Sequence, residues 1–144
     1  MSDISATGGE PLGANPFVMS TAPNIQRVLC VEDSLDTCKL IAKILTGYEI
    51  ISATTIDEAW RLYNAQSFSL IVLDYRLTDG DGLDFCERVR SMDFMTPIIF
   101  ITGDPDLTDA DVRMAGGQRL IRKGSPTFVD DLFANAHTLA VTNS

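Results

Sequence analysis

Five residues carry side chains from which chemistry could be built: Glu32, Asp33, Asp74, Thr102 and Lys123. Each closes an apolar run. "RVLCVE" leads into Glu32 and Asp33, "SLIVLD" ends on Asp74, "TPIIFIT" on Thr102 and "QRLIRK" on Lys123. If these runs are parallel strands, three carboxylates, a hydroxyl and an ammonium meet at one edge of a sheet. Grouped carboxylates repel, and one takes up a proton unless a cation sits among them. Oxygen-only ligands suit a hard ion such as Mg2+ or Mn2+. Lys123 adds a compact positive charge on a flexible stem. Thr102 adds a hydroxyl donor, and Gly103 leaves room beside it. The set suits phosphoryl transfer to a carboxylate. Asp74 would attack phosphorus and become an aspartyl phosphate. A cation held by Asp33 and Asp74 would offset the charge, while Lys123 and Thr102 hold the phosphoryl oxygens.

Each residue also has a plain reading. Asp33 could be a helix N-cap, Asp74 a turn former, Thr102 a β-branched strand residue and Lys123 a solvated charge. These readings are independent, and all would have to hold at the same edge.

The elements that must position these groups alternate along the chain. Strand-like runs at "RVLCVE", "EIISA", "SLIVLD", "TPIIFIT" and "QRLIRK" are separated by helical patterns. Cys38, Ile41, Ala42 and Leu45 share one helical face, with Gly47 as the stop. Thr55 and Glu58 have capping-box spacing, and Ile56, Ala59, Trp60 and Tyr63 line the helix that follows. A third helix runs from Leu83 to about Met92, packing through Leu83, Cys86 and Val89. A short fourth spans Leu107 to about Ala115. The last is expected to bury Val129, Leu132, Phe133, Ala136, Leu139 and Ala140. Continuously apolar strands between helices predict a parallel sheet covered on both faces. The expected fold is α/β: a doubly wound (βα)5 three-layer sandwich with a five-stranded parallel sheet. Such sheets bind ligands beyond the carboxyl ends of their strands.

Composition narrows the partners. Eleven Lys+Arg against 20 Asp+Glu give a net charge of -9 over 144 residues. That surface repels phosphate backbones and anionic membranes, so neither nucleic acid nor membrane is an expected partner. No apolar stretch is long enough to cross a bilayer, and no secretory signal opens the chain; a cytoplasmic protein is expected. Cys30, Cys38 and Cys86 form no CxxC pair and read as small buried hydrophobes. Residues 1–24, rich in Gly, Ser, Thr, Ala and Pro, read as a flexible tail, with Phe17, Val18 and Met19 able to dock. Residues 25–144 read as the domain. His137, the single histidine, reads as a surface residue. The chain shows no Gly-rich nucleotide loop.

Taken together, "VLCVEDS", "LIVLDYRLTDGDGL", "PIIFITG" and "LIRKGSP" resemble, in order, the motifs of the receiver domain of bacterial two-component response regulators, the CheY-like, flavodoxin-like fold. The resemblance runs from about Arg27 to Leu139. It implies that Asp74 is the phosphoacceptor and that Glu32 and Asp33 form the acidic pair. It also implies the backbone carbonyl of Arg76 as a further Mg2+ ligand. The donor would be a histidine kinase or a histidine phosphotransfer protein. The chain would be no enzyme beyond catalysing its own phosphorylation and dephosphorylation. With about twenty residues after Lys123, a single-domain regulator is expected, which switches the binding of a downstream protein target. A relay intermediate or phosphate sink and a phosphorylation-independent interaction domain are the alternatives. Homodimerisation through the fourth helix, fifth strand and fifth helix is a further candidate role.

Three positions depart from the family pattern. Thr78 stands where Pro is frequent, so a looser loop after Asp74 is expected. Gly124 stands where Pro usually follows the lysine, which leaves the Lys123–Gly124 peptide open between cis and trans. Leu120 takes the place of the aromatic switch residue paired with Thr102, so a weaker relay to the surface is expected. A phosphatase of the haloacid dehalogenase type is disfavoured, because Arg76 stands where it needs a second aspartate. Finally, Arg76 and Asp104 each lie two residues past a site residue. They are expected to pair over the phosphoryl group and hinder the hydrolytic water, or else to be two solvated charges.

Overall fold

The computed structural model describes residues 25–143; the expected tail, with Phe17, Val18 and Met19, lies outside them. Five strands form one sheet: β1 (Arg27–Val31), β2 (Glu49–Ala53), β3 (Leu70–Asp74), β4 (Ile98–Thr102) and β5 (Arg119–Arg122). Their order is β2-β1-β3-β4-β5, and every neighbouring pair is parallel. Between and after them come α1 (Leu35–Ile44), α2 (Ile56–Ala65), α3 (Gly82–Arg90), α4 (Asp109–Ala115) and α5 (Phe128–Asn143). This is the doubly wound (βα)5 sandwich.

The strands alternate side chains between two cores, as a pleated strand must. Leu29, Val31, Ile71, Leu73, Ile98 and Phe100 pack with α2, α3 and α4. Val28, Cys30, Leu70, Val72, Ile99 and Ile101 pack with α1 and α5. β3 and β4 are buried at every position, the cost of burying their backbones being offset by ladder hydrogen bonds on both sides. The order reverses at β1 and β3, so their carboxyl ends flank the crevice where Asp33 and Asp74 lie.

Helix starts follow local chemistry. Ser34, not Asp33, caps α1 by accepting from the Thr37 N–H, which leaves Asp33 free of that role. Thr55 caps α2, while Glu58 reaches back to the Thr54 N–H, one residue before the N-cap. Thr108 and Asp111 complete a full capping box on α4, so that helix begins two residues later than the apolar pattern suggests. α3 starts at Gly82 and ends at Arg90, short of Met92. Two apolar faces also differ from expectation. Ala42 is exposed and Ile44 is buried, because the seam of α1 runs Cys38–Ile41–Ile44/Leu45. On α5, Leu132, Ala136 and Ala140 are buried, whereas Val129 and Phe133 stand 49% and 51% exposed. The helix is apolar over a wider arc than the sheet covers. Phe133 instead stacks on exposed His137, with centroids 6.5 Å apart. All three cysteines are buried and free.

Trp60, on α2, lies edge-on to Phe85 of α3 at 6.1 Å and stacks with Tyr63 at 5.7 Å. The Arg88 guanidinium caps its ring at 4.2 Å.

Candidate functional site: an acidic pocket at the sheet edge

The parallel sheet brings all five predicted side chains to its carboxyl edge. Glu32 follows β1 directly instead of ending it; its N–H donates to the Ala53 carbonyl at 2.9 Å. Its side chain is only 1% exposed. One carboxylate oxygen, Oε2, accepts from the Ser34 N–H at 3.0 Å. The other, Oε1, lies 2.6 Å from Lys123 Nζ. Lys123 Nζ also donates to Asp74 Oδ2 at 3.1 Å, and Asp74 Oδ1 accepts from the Tyr75 N–H at 2.8 Å. Among the described residues no peptide bond is cis, so Lys123–Gly124 is trans, and the lysine spans both carboxylates from that backbone.

The electrostatics follow from this crowding. Burial alone lowers the pKa of Lys123, but its hydrogen bond to the Glu32 carboxylate and the charge of Asp74 outweigh it and hold the ammonium above its ordinary value of 10.5. The Asp33 carboxyl is pushed up, first by desolvation, then by its hydrogen bond with Glu32 and that residue's charge. Ligand oxygens of Glu32, Asp33 and Asp74 all lie within 4.8 Å of one another. Lys123 compensates two of these carboxylates and leaves the exposed Asp33 to a further cation. This donor set fits a hard divalent ion.

The loop after Asp74 is tightly held. Arg76–Leu77 pairs with Gly80–Asp81 as a small antiparallel ladder. Asp79 reaches across to α2 and accepts from the Ile56 N–H at 2.8 Å and the Asp57 N–H at 3.1 Å. Asp81 caps α3 by accepting from the Asp84 N–H. The looseness expected from Thr78 is therefore absent, because two aspartates and a ladder do what a proline's fixed φ would do. At Gly82 the backbone comes close to the site: its N–H donates to the Tyr75 carbonyl at 2.6 Å. A Cβ there would stand 2.3 Å from the Asp74 carbonyl oxygen.

On the other side, Thr102 is 1% exposed, and its Oγ1 accepts from the Asp104 N–H at 2.9 Å. Arg76 does pair with Asp104, Nε to Oδ2 at 2.8 Å. It also lies over the Tyr75 ring at 4.7 Å. The Asp104 carboxyl is held below its usual range, first by the Asp106 N–H, then by Arg76. Leu120 sits beside Phe100 in register and packs, half-buried, on the α2–α4 core. Sequence reasoning passed over Asp79 and Arg122. Asp79 binds backbone 23 positions away, and Arg122 donates to the carbonyls of Asp104 and Leu107. Backbone carbonyls carry no sequence signal. The repeated Asp-Gly steps were the only available hint of Asp79.

A family model for the response regulator receiver domain matches residues 28–127. The chain belongs to that family. Transcriptional regulatory protein BasR of Escherichia coli is 39% identical over 87 residues, 58% of this chain and 38% of BasR. The alkaline phosphatase synthesis transcriptional regulatory protein PhoP of Bacillus subtilis is 30% identical over 86 residues, 58% of this chain and 36% of PhoP. The chain spans well under half the length of these curated relatives. Among solved structures, a CheY-like receiver domain protein from Methanospirillum hungatei superposes with a TM-score of 0.73 at 25% identity, covering 83% of this chain and 97% of that one. The receiver domain is thus a component of two-component systems. Among the described residues, no helix is long and apolar enough to cross a membrane.

Proposed function

We propose that this receiver domain accepts a phosphoryl group on Asp74 from a phosphohistidine and thereby changes the binding of a protein target. The observation that supports it best is Lys123 Nζ bridging two buried carboxylates, 2.6 Å from Glu32 and 3.1 Å from Asp74. A bridge of this kind is costly to build for stability alone. It suits a site where charge arrives.

In the transfer, an Asp74 carboxylate oxygen forms the bond to phosphorus as the donor's nitrogen–phosphorus bond breaks, and the electron pair leaves with the imidazole. Lys123 moves its charge onto the phosphoryl oxygens. The Thr102 hydroxyl, whose oxygen accepts from Asp104, keeps its proton to donate to another phosphoryl oxygen. Glu32, Asp33 and Asp74, with the Arg76 carbonyl, would hold Mg2+, which supplies charge neutralisation when bound. The tie between Tyr75 N–H and Asp74 Oδ1 fixes which oxygen faces the donor. Catalysis extends to the domain's own phosphorylation and dephosphorylation, with Arg76 and Asp104 screening the hydrolytic water.

Leu120 favours a second reading. A small aliphatic residue there gives the site little leverage on the surface, which suits a relay intermediate that passes the phosphoryl group back to a histidine.

The test is intact mass after incubation with phosphoramidate and Mg2+, with Asp74→Ala as control. One phosphoryl adduct on the wild type alone supports acceptance at Asp74; its absence leaves a phosphorylation-independent interaction domain. Rapid loss of the adduct to a histidine phosphotransfer protein supports the relay.

A further inference from the structure

The loop between β4 and α4 carries Thr102 at its start and the Thr108 cap at its end. Two groups hold it from outside. Arg76 binds the Asp104 carboxylate at 2.8 Å. Arg122, the last residue of β5, donates to the Asp104 carbonyl at 3.1 Å and to the Leu107 carbonyl at 2.6 Å. Inside the loop, the Asp104 N–H donates to Thr102 Oγ1. Asp104 is therefore the point where Arg122, Arg76 and the Thr102 hydroxyl meet.

Packing does little to fix residues 103–106. Gly103, Pro105 and Asp106 are exposed. A Cβ at Gly103 or Gly124 would meet no atom within 4 Å. An open cleft of about 450 Å³ lies beside the loop, lined by Thr102, Gly103, Pro105, Arg122, Gly124 and Ser125. Only Leu107, 1% exposed, anchors the far end in the core. The loop has room to move and is restrained by hydrogen bonds, of which Arg122 supplies the two that tie it to the sheet.

A phosphoryl group on Asp74 adds acceptor oxygens next to Thr102. When the Thr102 hydroxyl turns toward them, its bond to the Asp104 N–H must break or carry the loop along. Arg122 resists that motion, because its planar fork holds carbonyls 104 and 107 at once from a rigid strand. We propose that Arg122 is a positioning residue that latches the β4–α4 loop in its resting place and sets how readily Thr102 engages a phosphoryl group. With Leu120 in place of a switch aromatic, this latch is the route from the site to the N-terminus of α4.

This inference rests on Asp74 being the acceptor. The test compares the full chain with Arg122→Ala and Arg122→Lys. Hydrogen exchange of residues 103–107 is followed without and with beryllium trifluoride and Mg2+, a stand-in for the carboxylate-bound phosphoryl group. Freed of two charge-assisted bonds, the Arg122→Ala loop should exchange roughly tenfold faster in the resting state. The stand-in should bind the Arg122→Ala chain severalfold more tightly, with lysine, which reaches a single carbonyl, falling between. General loosening of the domain would weaken binding, so the sign separates a latch from a merely structural residue. Equal loop exchange in all three chains, or affinity that is unchanged or lower in Arg122→Ala, overturns the inference. Binding to none of the three overturns the acceptor reading as well.

Discussion

Replacing Gly82 by alanine should damage both stability and the site, although it adds one methyl group at the start of a helix. The new Cβ would stand 2.3 Å from the Asp74 carbonyl oxygen, 3.1 Å from Leu73 Cγ and 3.2 Å from Phe100 Cε2. The first of these is backbone in a fully buried strand and cannot rotate away. Relief requires the 75–82 segment to move by roughly 1 Å, given an ordinary carbon contact of about 3.5 Å. Overpacking of this kind costs about 1–3 kcal/mol. Stretching the Gly82 N–H bond to the Tyr75 carbonyl adds about 1 kcal/mol. The gain in helix propensity offsets at most about 1 kcal/mol. The net loss of about 1–3 kcal/mol lowers Tm by on the order of 5–10 °C for a domain of this size. Urea melts would measure it, with Gly124→Ala as control, since a Cβ at Gly124 meets no atom within 4 Å. The same displacement shifts Asp74, so phosphoryl uptake from phosphoramidate should slow at least tenfold. A Gly82→Ala protein within about 0.5 kcal/mol of wild type, phosphorylated at the same rate, would refute the reasoning.

Other expectations concern the ties around the sheet. Asp93 accepts from Tyr63 and Thr96 hydroxyls, both at 2.6 Å, and from the Met95 and Thr96 N–H groups. Burial raises its pKa, but these bonds outweigh that and pull it down to about 2. Its stabilisation is present above the ordinary value of 3.8 and lost as pH falls through about 2. Asp93→Asn should therefore be less stable by about 1–2 kcal/mol at neutral pH, after discounting for solvent screening. The gap should close toward pH 2 in denaturant titrations. Lys123→Met leaves buried carboxylates uncompensated and should cost about 3–5 kcal/mol; Mg2+ should stabilise the variant more than the wild type in thermal melts. Because the Lys123 pKa is raised above 10.5, the wild type keeps this stabilisation below that pH and loses it only in stronger alkali. Asp79→Ala removes a cap shared by two backbone N–H groups of α2. About 1 kcal/mol should be lost, and amides at 56 and 57 should exchange faster.

The fold was legible because β3 and β4 are apolar at nearly every position, which only a sheet covered on both faces requires. Asp74 and Thr102 were legible because each ends a strand, and Asp33 and Lys123 because each lies within two residues of a strand's end, so the topology alone brings them together. Boundaries were less readable. Hydrophobicity marked Leu107 as helical, but Leu107 is buried as the loop's anchor, and the Thr108 cap sets the true start. Phe133 and Val129 fit the helical period of α5, yet periodicity cannot say how wide an arc the sheet covers. Thr78 misled because a missing proline was visible in the sequence, whereas its replacement by the Asp79 tie to α2 was a tertiary contact. Arg122 looked like one more surface charge on an edge strand.

Trp60 is the chain's single tryptophan, wedged between α2 and α3 beneath Arg88. α2 is pinned at its start by Asp79, and α3 begins against the Asp74 carbonyl. The indole is thus an intrinsic optical probe, seated where the two helices tied to the acidic pocket converge. A tilt of either helix changes its distance from the guanidinium and so its emission. The expected readout of phosphorylation at Asp74 is therefore a change in stopped-flow tryptophan fluorescence of the unlabelled protein, and an unchanged signal on phosphorylation would show that neither helix moves.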